Sequence, residues 1–203
     1  MEVTLWIYDH RARRARLFTL PTWEQMPFVE RVPLPVCRFL GRARTSFAWS
    51  DRRALEALDV LARAGGPPFA VCRAFADPAR PGPRGDGTAF DVGRELTGAQ
   101  RAALRCAALR TGRFYRVETD ARAPDCLRLA ALAPRTLEAG DVGADVCRLQ
   151  ALLLRAGAQG LALSGTFCER TRRAARQAAM ALGLPADGRA DARLLERLIA
   201  RAR

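Results

Sequence analysis

The stretch Gly140 to Leu153, GDVGADVCRLQALL, decides how the second half of this chain folds. Val146, Leu149 and Leu153 recur at the three- and four-residue spacing that lines one face of an α-helix, so a helix is expected from Asp145 to Ala156. Gly157 stops it. Beyond it only helical signals follow, Glu169 to Leu182 and then Asp191 to Arg201, whose apolar side is Leu194, Leu195 and Leu198. Gly183 and the Asp187-Gly188 turn separate them. The pattern predicts a small all-α three-helix domain over 136–203 with these leucines in its core.

Upstream, Ala133 to Glu138 is a short linker punctuated by Pro134, and residues 1–133 have a different texture. Val3 to Asp9 and Ala15 to Leu20 read as a β-hairpin around the charged tip His10-Arg11-Ala12-Arg13-Arg14. Pro21 to Pro35 is irregular, with Trp23, Met26, Phe28 and Val29 as packing anchors. Ser50-Asp51 opens a helix carrying Leu55, Leu58, Val60 and Leu61, and Gly65-Gly66-Pro67-Pro68 closes it. Phe69 to Phe75 and Thr88 to Val92 read as strands flanking a Pro- and Gly-dense loop. Thr97 caps a helix from Gly98 to Leu109 that ends at Gly112, and Phe114 to Asp120 and Cys126 to Leu132 complete the strands. Helices and strands alternate without βαβ regularity, so this half is α+β.

The composition narrows the function classes. The net charge is +13 and all 34 basic residues are Arg, a surface that attracts polyanions such as nucleic acid or anionic wall polymers. No basic block is interleaved with aromatics, which argues against sequence-specific nucleic-acid binding. There is no apolar run of about 18 residues for a membrane span. The first residues, Met1 to Trp6, lack the basic and apolar regions of a signal peptide. Six cysteines (37, 72, 106, 126, 147, 168) are dispersed without a CxxC. Free, mostly buried thiols are the first expectation, with disulfides and a metal site as alternatives. The single histidine, His10, sits at the hairpin tip as a solvated turn residue.

The C-terminal segment resembles the peptidoglycan-binding domain found at the ends of bacterial cell-wall hydrolases. Gly140-Asp141, Gly143, Asp145-Val146, Leu149-Gln150 and Leu153 match its GDxGxDVxxLQxxL helix. Gly165, Phe167 and Thr171 match its DGxFGxxT turn, and Gly183-Leu184 with Asp187-Gly188 match its closing turn. The resemblance implies peptidoglycan or its stem peptides as partner and Asp141, Asp145, Gln150, Phe167 and Asp187 as ligand-binding residues. Ser164, Cys168 and Ala178-Ala179 depart from the pattern, thinning the groups available to a glycan.

Residues 1–133 resemble the zinc D-Ala-D-Ala carboxypeptidase family through Gly87-Thr88-Ala89-Phe90-Asp91-Val92-Gly93, set against a core of SxHxxGxAxD, and through Phe114 to Asp120, set against a His-x-Asp segment. This implies an N-terminal α+β domain of the D-Ala-D-Ala metallopeptidase type. In that family His, Asp and His hold a zinc ion that polarises the scissile amide and activates water. Here the Ser position is Gly82, the first His position is Arg84, the Asp is Asp91, and the second His position is Glu118, with Asp120 following.

A guanidinium offers no lone pair to a metal and stays protonated. Arg84 thus puts a positive charge where the cation would sit, and the expectation is an ion cluster of Arg84 with Asp91 and Glu118 in place of zinc. Glu118 and Asp120, two apart on a strand, share a face. The Arg84-Gly85-Asp86 triplet spells an adhesion motif but is too short to carry weight.

Three readings follow: a non-catalytic peptidoglycan-binding protein with a pseudo-peptidase domain and no cofactor; a cell-wall peptidase with carboxylate metal ligands; and a basic polyanion-binding protein. The modules imply the cell envelope. The absence of a signal peptide then calls for release by lysis, another export route or a spore compartment.

Overall fold

The computed structural model describes residues 1–43, 45, 47–79, 83–120 and 123–202. Its first half is mixed α/β and its last third is helical. β1 (Glu2–Asp9) and β2 (Arg14–Pro21) form the expected hairpin, paired in antiparallel register from Glu2–Pro21 to Asp9–Arg14. β1 alternates buried and half-buried residues, with Val3, Leu5 and Ile7 facing the core. On its other side β1 pairs in parallel with β3 (Phe47–Asp51), making the order β2-β1-β3. Between β2 and β3 the proline-punctuated segment holds one short helix, α1 (Val36–Leu40).

Asp51 ends β3 and caps α2 (Arg52–Arg63), its carboxylate accepting from the Arg53 amide. α2 buries Leu55, Leu58 and Leu61. The second sheet is antiparallel, in the order β4 (Val71–Arg73), β5 (Ala89–Val92), β7 (Ala123–Ala130), β6 (Arg116–Asp120). One face packs against α3 (Gly98–Thr111), which starts with a capping box between Thr97 and Gln100 and ends at left-handed Gly112. A single 3₁₀ turn, Pro83–Asp86, precedes β5.

The helical part consists of α4 (Ala144–Arg155), α5 (Glu169–Ala181) and α6 (Ala192–Arg201). The predicted anchors Val146, Leu149, Leu153, Leu194 and Leu198 are all buried. Two hydrophobic cores result, one per half, and each borrows from the other. Ala144 and Cys147 of α4 belong to the N-terminal core, and Ala79 belongs to the helical one.

Some expectations are corrected. β3 and α1 were hidden, because each spans five residues beside stronger signals. Trp23 is not an anchor: it is 74% exposed, while Met26 and Val29 are buried. The cysteines are all free as expected but only Cys126 and Cys147 are buried; Cys37, Cys106 and Cys168 are exposed. His10 is half-buried rather than solvated.

Candidate functional site

The register of the second sheet aligns Arg73, Asp91, Arg128 and Glu118 in one row across β4, β5, β7 and β6. Directly opposed residues in adjacent strands face the same way, so the row alternates positive and negative charge. Asp91 is 1% exposed, and three guanidiniums converge on it. Arg128 Nε lies 2.9 Å from Oδ1, Arg84 Nη1 donates to Oδ2 at 3.0 Å, and Arg73 Nε is 2.9 Å from Oδ2. The Arg73 contact is an ion pair out of hydrogen-bond line, since its buried Nε and Nη2 have no hydrogen-bond partner. The 3₁₀ turn brings in Arg84 from outside the sheet, and the Arg84 carbonyl accepts from the Ala76 amide at 3.1 Å.

The structure thus brings Arg84 and Asp91 together and leaves Glu118 out. Arg128 stands between the two carboxylates, and two strand spacings separate their backbones by about 10 Å. Glu118 is 42% exposed and pairs loosely with Arg116 at 3.9 Å. Gly82 lies outside the described residues, as does the side chain of Asp120. These residues do not fit a zinc ion: both Asp91 oxygens already face guanidiniums, and the second carboxylate is too far away. Among the described residues no group of three or more His, Cys, Asp or Glu is placed to hold a metal.

The turn that delivers Arg84 is clamped by α4. Arg148, 6% exposed, donates through Nε to the Pro78 carbonyl at 3.1 Å and through Nη1 to Asp86 at 3.0 Å. Its guanidinium lies flat on Gly85, where an added Cβ would meet Cζ at 2.7 Å. From the other side, Trp49 Nε1 donates to the Gly85 carbonyl at 3.0 Å and Ser50 Oγ to the Gly87 carbonyl at 2.6 Å. Burial pushes the Asp86 carboxyl up to about 6; Arg148 opposes this and Asp145 adds to it. The Arg84-Gly85-Asp86 triplet is therefore spent on internal contacts. Two turns along α4, Arg155 makes a bidentate pair with Asp77 at 2.6 and 2.8 Å.

Beside this clamp lies a cleft of about 200 Å³. β3 supplies Phe47 and Trp49, the segment after β4 supplies Phe75 and Asp77, and the helical part supplies Ala151, Arg155 and Leu163.

Within the helical part, Gln150 is fully buried and works as a hub. Its Nε2 donates to Ser164 Oγ, the Thr166 carbonyl and Thr171 Oγ1, while its Oε1 accepts from the Ser164 and Gly165 amides. Phe167 is 1% exposed. These two expected ligand-binding residues are corrected to scaffold, because a ligand has no access to them. Asp141 and Asp145 share Arg135, at 2.8 Å each, and Asp187 is exposed and closes its own turn by accepting from the Arg189 amide. Arg73, Arg128, Arg148 and Arg155 were missed. The seven-residue step from Arg148 to Arg155, which places both guanidiniums on one face of α4, was the available signal.

This helical architecture is matched by a family model. Residues 142–198 match the family described as a putative peptidoglycan binding domain. The last third of the chain is thus a peptidoglycan-binding-like module. A solved structure described as the crystal structure of SleB N-terminal domain is 30% identical; the match covers 36% of this chain and all of that one, with a TM-score of 0.34. No curated protein matches the chain significantly. No helix among the described residues is long and apolar enough to cross a membrane.

Proposed function

We propose that this protein binds peptidoglycan through residues 142–198 and does not cleave it. The observation that carries the binding is the family match, supported by a buried polar hub that fixes the module's turn around Gln150. The N-terminal region is read as a carboxypeptidase-like domain, 1–133, in which arginines occupy the place of the metal, joined to the module at 136–203. Asp91 with its three guanidiniums supports that reading, since a cation would have to displace Arg84, Arg73 and Arg128 together. A like-charged metal entering such a ring is opposed by Coulomb repulsion that the partly buried surroundings screen poorly. The vestigial residues are Arg84, Asp91, Glu118 and Asp120, without a catalytic role. Peptidoglycan as partner implies residence at the cell envelope, and anionic wall polymers are secondary partners of the +13 surface.

One purified sample tests both halves of the proposal. The expected outcome is co-sedimentation with sacculi, less than stoichiometric zinc by elemental analysis, and no product from muropeptides. Stoichiometric zinc with peptide-bond hydrolysis overturns the non-catalytic reading, and loss of sedimentation overturns the binding reading.

A further inference from the structure

We infer that the exposed arginine rows of α5 and α6 bind a phosphodiester-linked polyanion of the cell wall. The inference rests on the wall-binding reading for its choice of polymer and adds to it a surface and a ligand class.

Residues 123–202 are described without interruption, so the charges of this stretch can be followed one by one. Of its twelve arginines, 128, 135, 148, 155, 172 and 189 are ion-paired. The other six, Arg170, Arg173, Arg176, Arg193, Arg197 and Arg201, have no ion pair among the described residues. All six are exposed and all lie on α5 or α6. Steps of three on α5 and of four on α6 keep each set along one side of its helix, about 4.5 and 6 Å apart along the axis. From 169 to 201 four acids face eight arginines, and three of the four are engaged locally. Glu169 pairs with Arg172, and Asp187 and Asp191 accept from the Arg189 and Leu194 amides, which leaves Glu196.

Two features prepare α5 for an anion. Gly188, in the turn before α6, is buried beneath the Arg172 and Arg176 stems, where an added Cβ would fall 2.8 and 3.3 Å from their Cγ atoms. The Arg176 stem is thus packed while its guanidinium stays unpaired. Arg173 and Arg176, with Gln177 and Met180, line a hollow of about 170 Å³ whose one acid, Glu169, is already held by Arg172. A row of unneutralised charges at short, regular steps suits a linear polymer of repeated charge, and guanidiniums take phosphate oxygens in bidentate pairs. Nucleic acid shares that chemistry, but two observations favour a wall polymer. Five of the six arginines lie inside the segment that matches the peptidoglycan-binding family. Phe167 is the one aromatic side chain from 123 to 202 and is 1% exposed, so these helices offer no ring on which a base could stack.

The test sediments the full chain across a salt series with two preparations of sacculi, one carrying phosphodiester-linked polymer and one stripped of it with hydrofluoric acid. The salt-sensitive part of the binding is expected on the first preparation alone, and the salt-resistant plateau on both. Arg173→Gln with Arg176→Gln, and separately Arg193→Gln with Arg197→Gln, are each expected to weaken the salt-sensitive part about tenfold at low salt and to leave the plateau unchanged. Arg105→Gln with Arg110→Gln removes the same charge from exposed, unpaired positions on α3 and is expected to change it by less than about twofold. Free poly(glycerol phosphate) is expected to compete for the salt-sensitive part better than single-stranded DNA of equal charge. Salt-sensitive binding that survives stripping, an equal loss in the α3 variant, or stronger competition by DNA overturns the inference and leaves the peptidoglycan reading standing. Absence of the plateau overturns the peptidoglycan reading, so the two failures are read on separate parts of one curve.

Discussion

At the scale of single residues, the chemistry turns on two aspartates held differently, Asp91 buried and Asp86 half-buried. Asp91 sits among three guanidiniums, so removing it strands buried positive charge. Asp91→Ala is expected to cost about 3–5 kcal/mol in urea unfolding, the range for breaking a buried ion pair from one side. A cost below about 1 kcal/mol would show the arginines to be solvated, as surface pairs are. Asp86 is the opposite case, because burial outweighs Arg148 and raises its carboxyl to about 6, above the ~3.9 of an unfolded aspartate. The folded state then binds more protons between those values, so this group's contribution favours folding at low pH and is lost as pH rises through 6. Two units correspond to roughly 3 kcal/mol, and about 1–2 is expected here because the side chain keeps 22% exposure. Relative to wild type, Asp86→Asn should therefore gain about 1–2 kcal/mol between pH 4.5 and 7.5, whatever its constant offset. A pH-independent difference would contradict it. Of these contacts only Arg84 with Asp91 was readable from the chain, as a cation set where the resemblance to the carboxypeptidase family implied a metal ligand. Arg73 and Arg128 became visible only once the strand register, including the irregularity between Val71 and Arg73, was known.

At the scale of elements, two small features hold large ones in place. Gln150 ties α4 to the turn before α5 and to Thr171 within α5 through five hydrogen bonds, and has no solvent to fall back on. Gln150→Ala leaves several buried donors and acceptors unpaired and is expected to cost about 2–4 kcal/mol in thermal or urea unfolding. A ligand-contacting role, as the resemblance implied, would instead leave stability unchanged and lower affinity. Gly87 combines a φ of +65° with a position where a Cβ would fall 1.9 Å from the Trp49 carbonyl oxygen. Gly87→Ala should therefore break the contact between β3 and the entry to β5, with soluble yield and near-ultraviolet circular dichroism as readouts. Long elements were legible: the first hairpin, α2, α3 and all three C-terminal helices lie where apolar spacing, caps and glycine stops put them. Short ones were not. Phe47 to Asp51 runs straight into the cap of α2, so its strand character was absorbed into the helix signal.

At the scale of the whole molecule, the module is docked and not loosely tethered. Arg148 and Arg155 grip the segment from Asp77 to Asp86 at two points, and Ala144, Cys147 and Ala79 exchange between the cores. Both halves are therefore expected to unfold in one transition, and two resolved transitions in calorimetry would contradict the docking. The architecture of each half could be read separately, because periodicity is local. Their junction could not, since nothing in a single sequence pairs Asp77 with Arg155 across the chain.

Peptidoglycan binding through residues 142–198, as opposed to attraction by charge alone, is tested by sedimenting the full chain with purified sacculi from about 0.05 to about 1 M salt, where the screening length falls to ~3 Å. The expected bound fraction drops as long-range attraction is screened and then levels at a salt-resistant plateau. Complete release at the highest salt would contradict it.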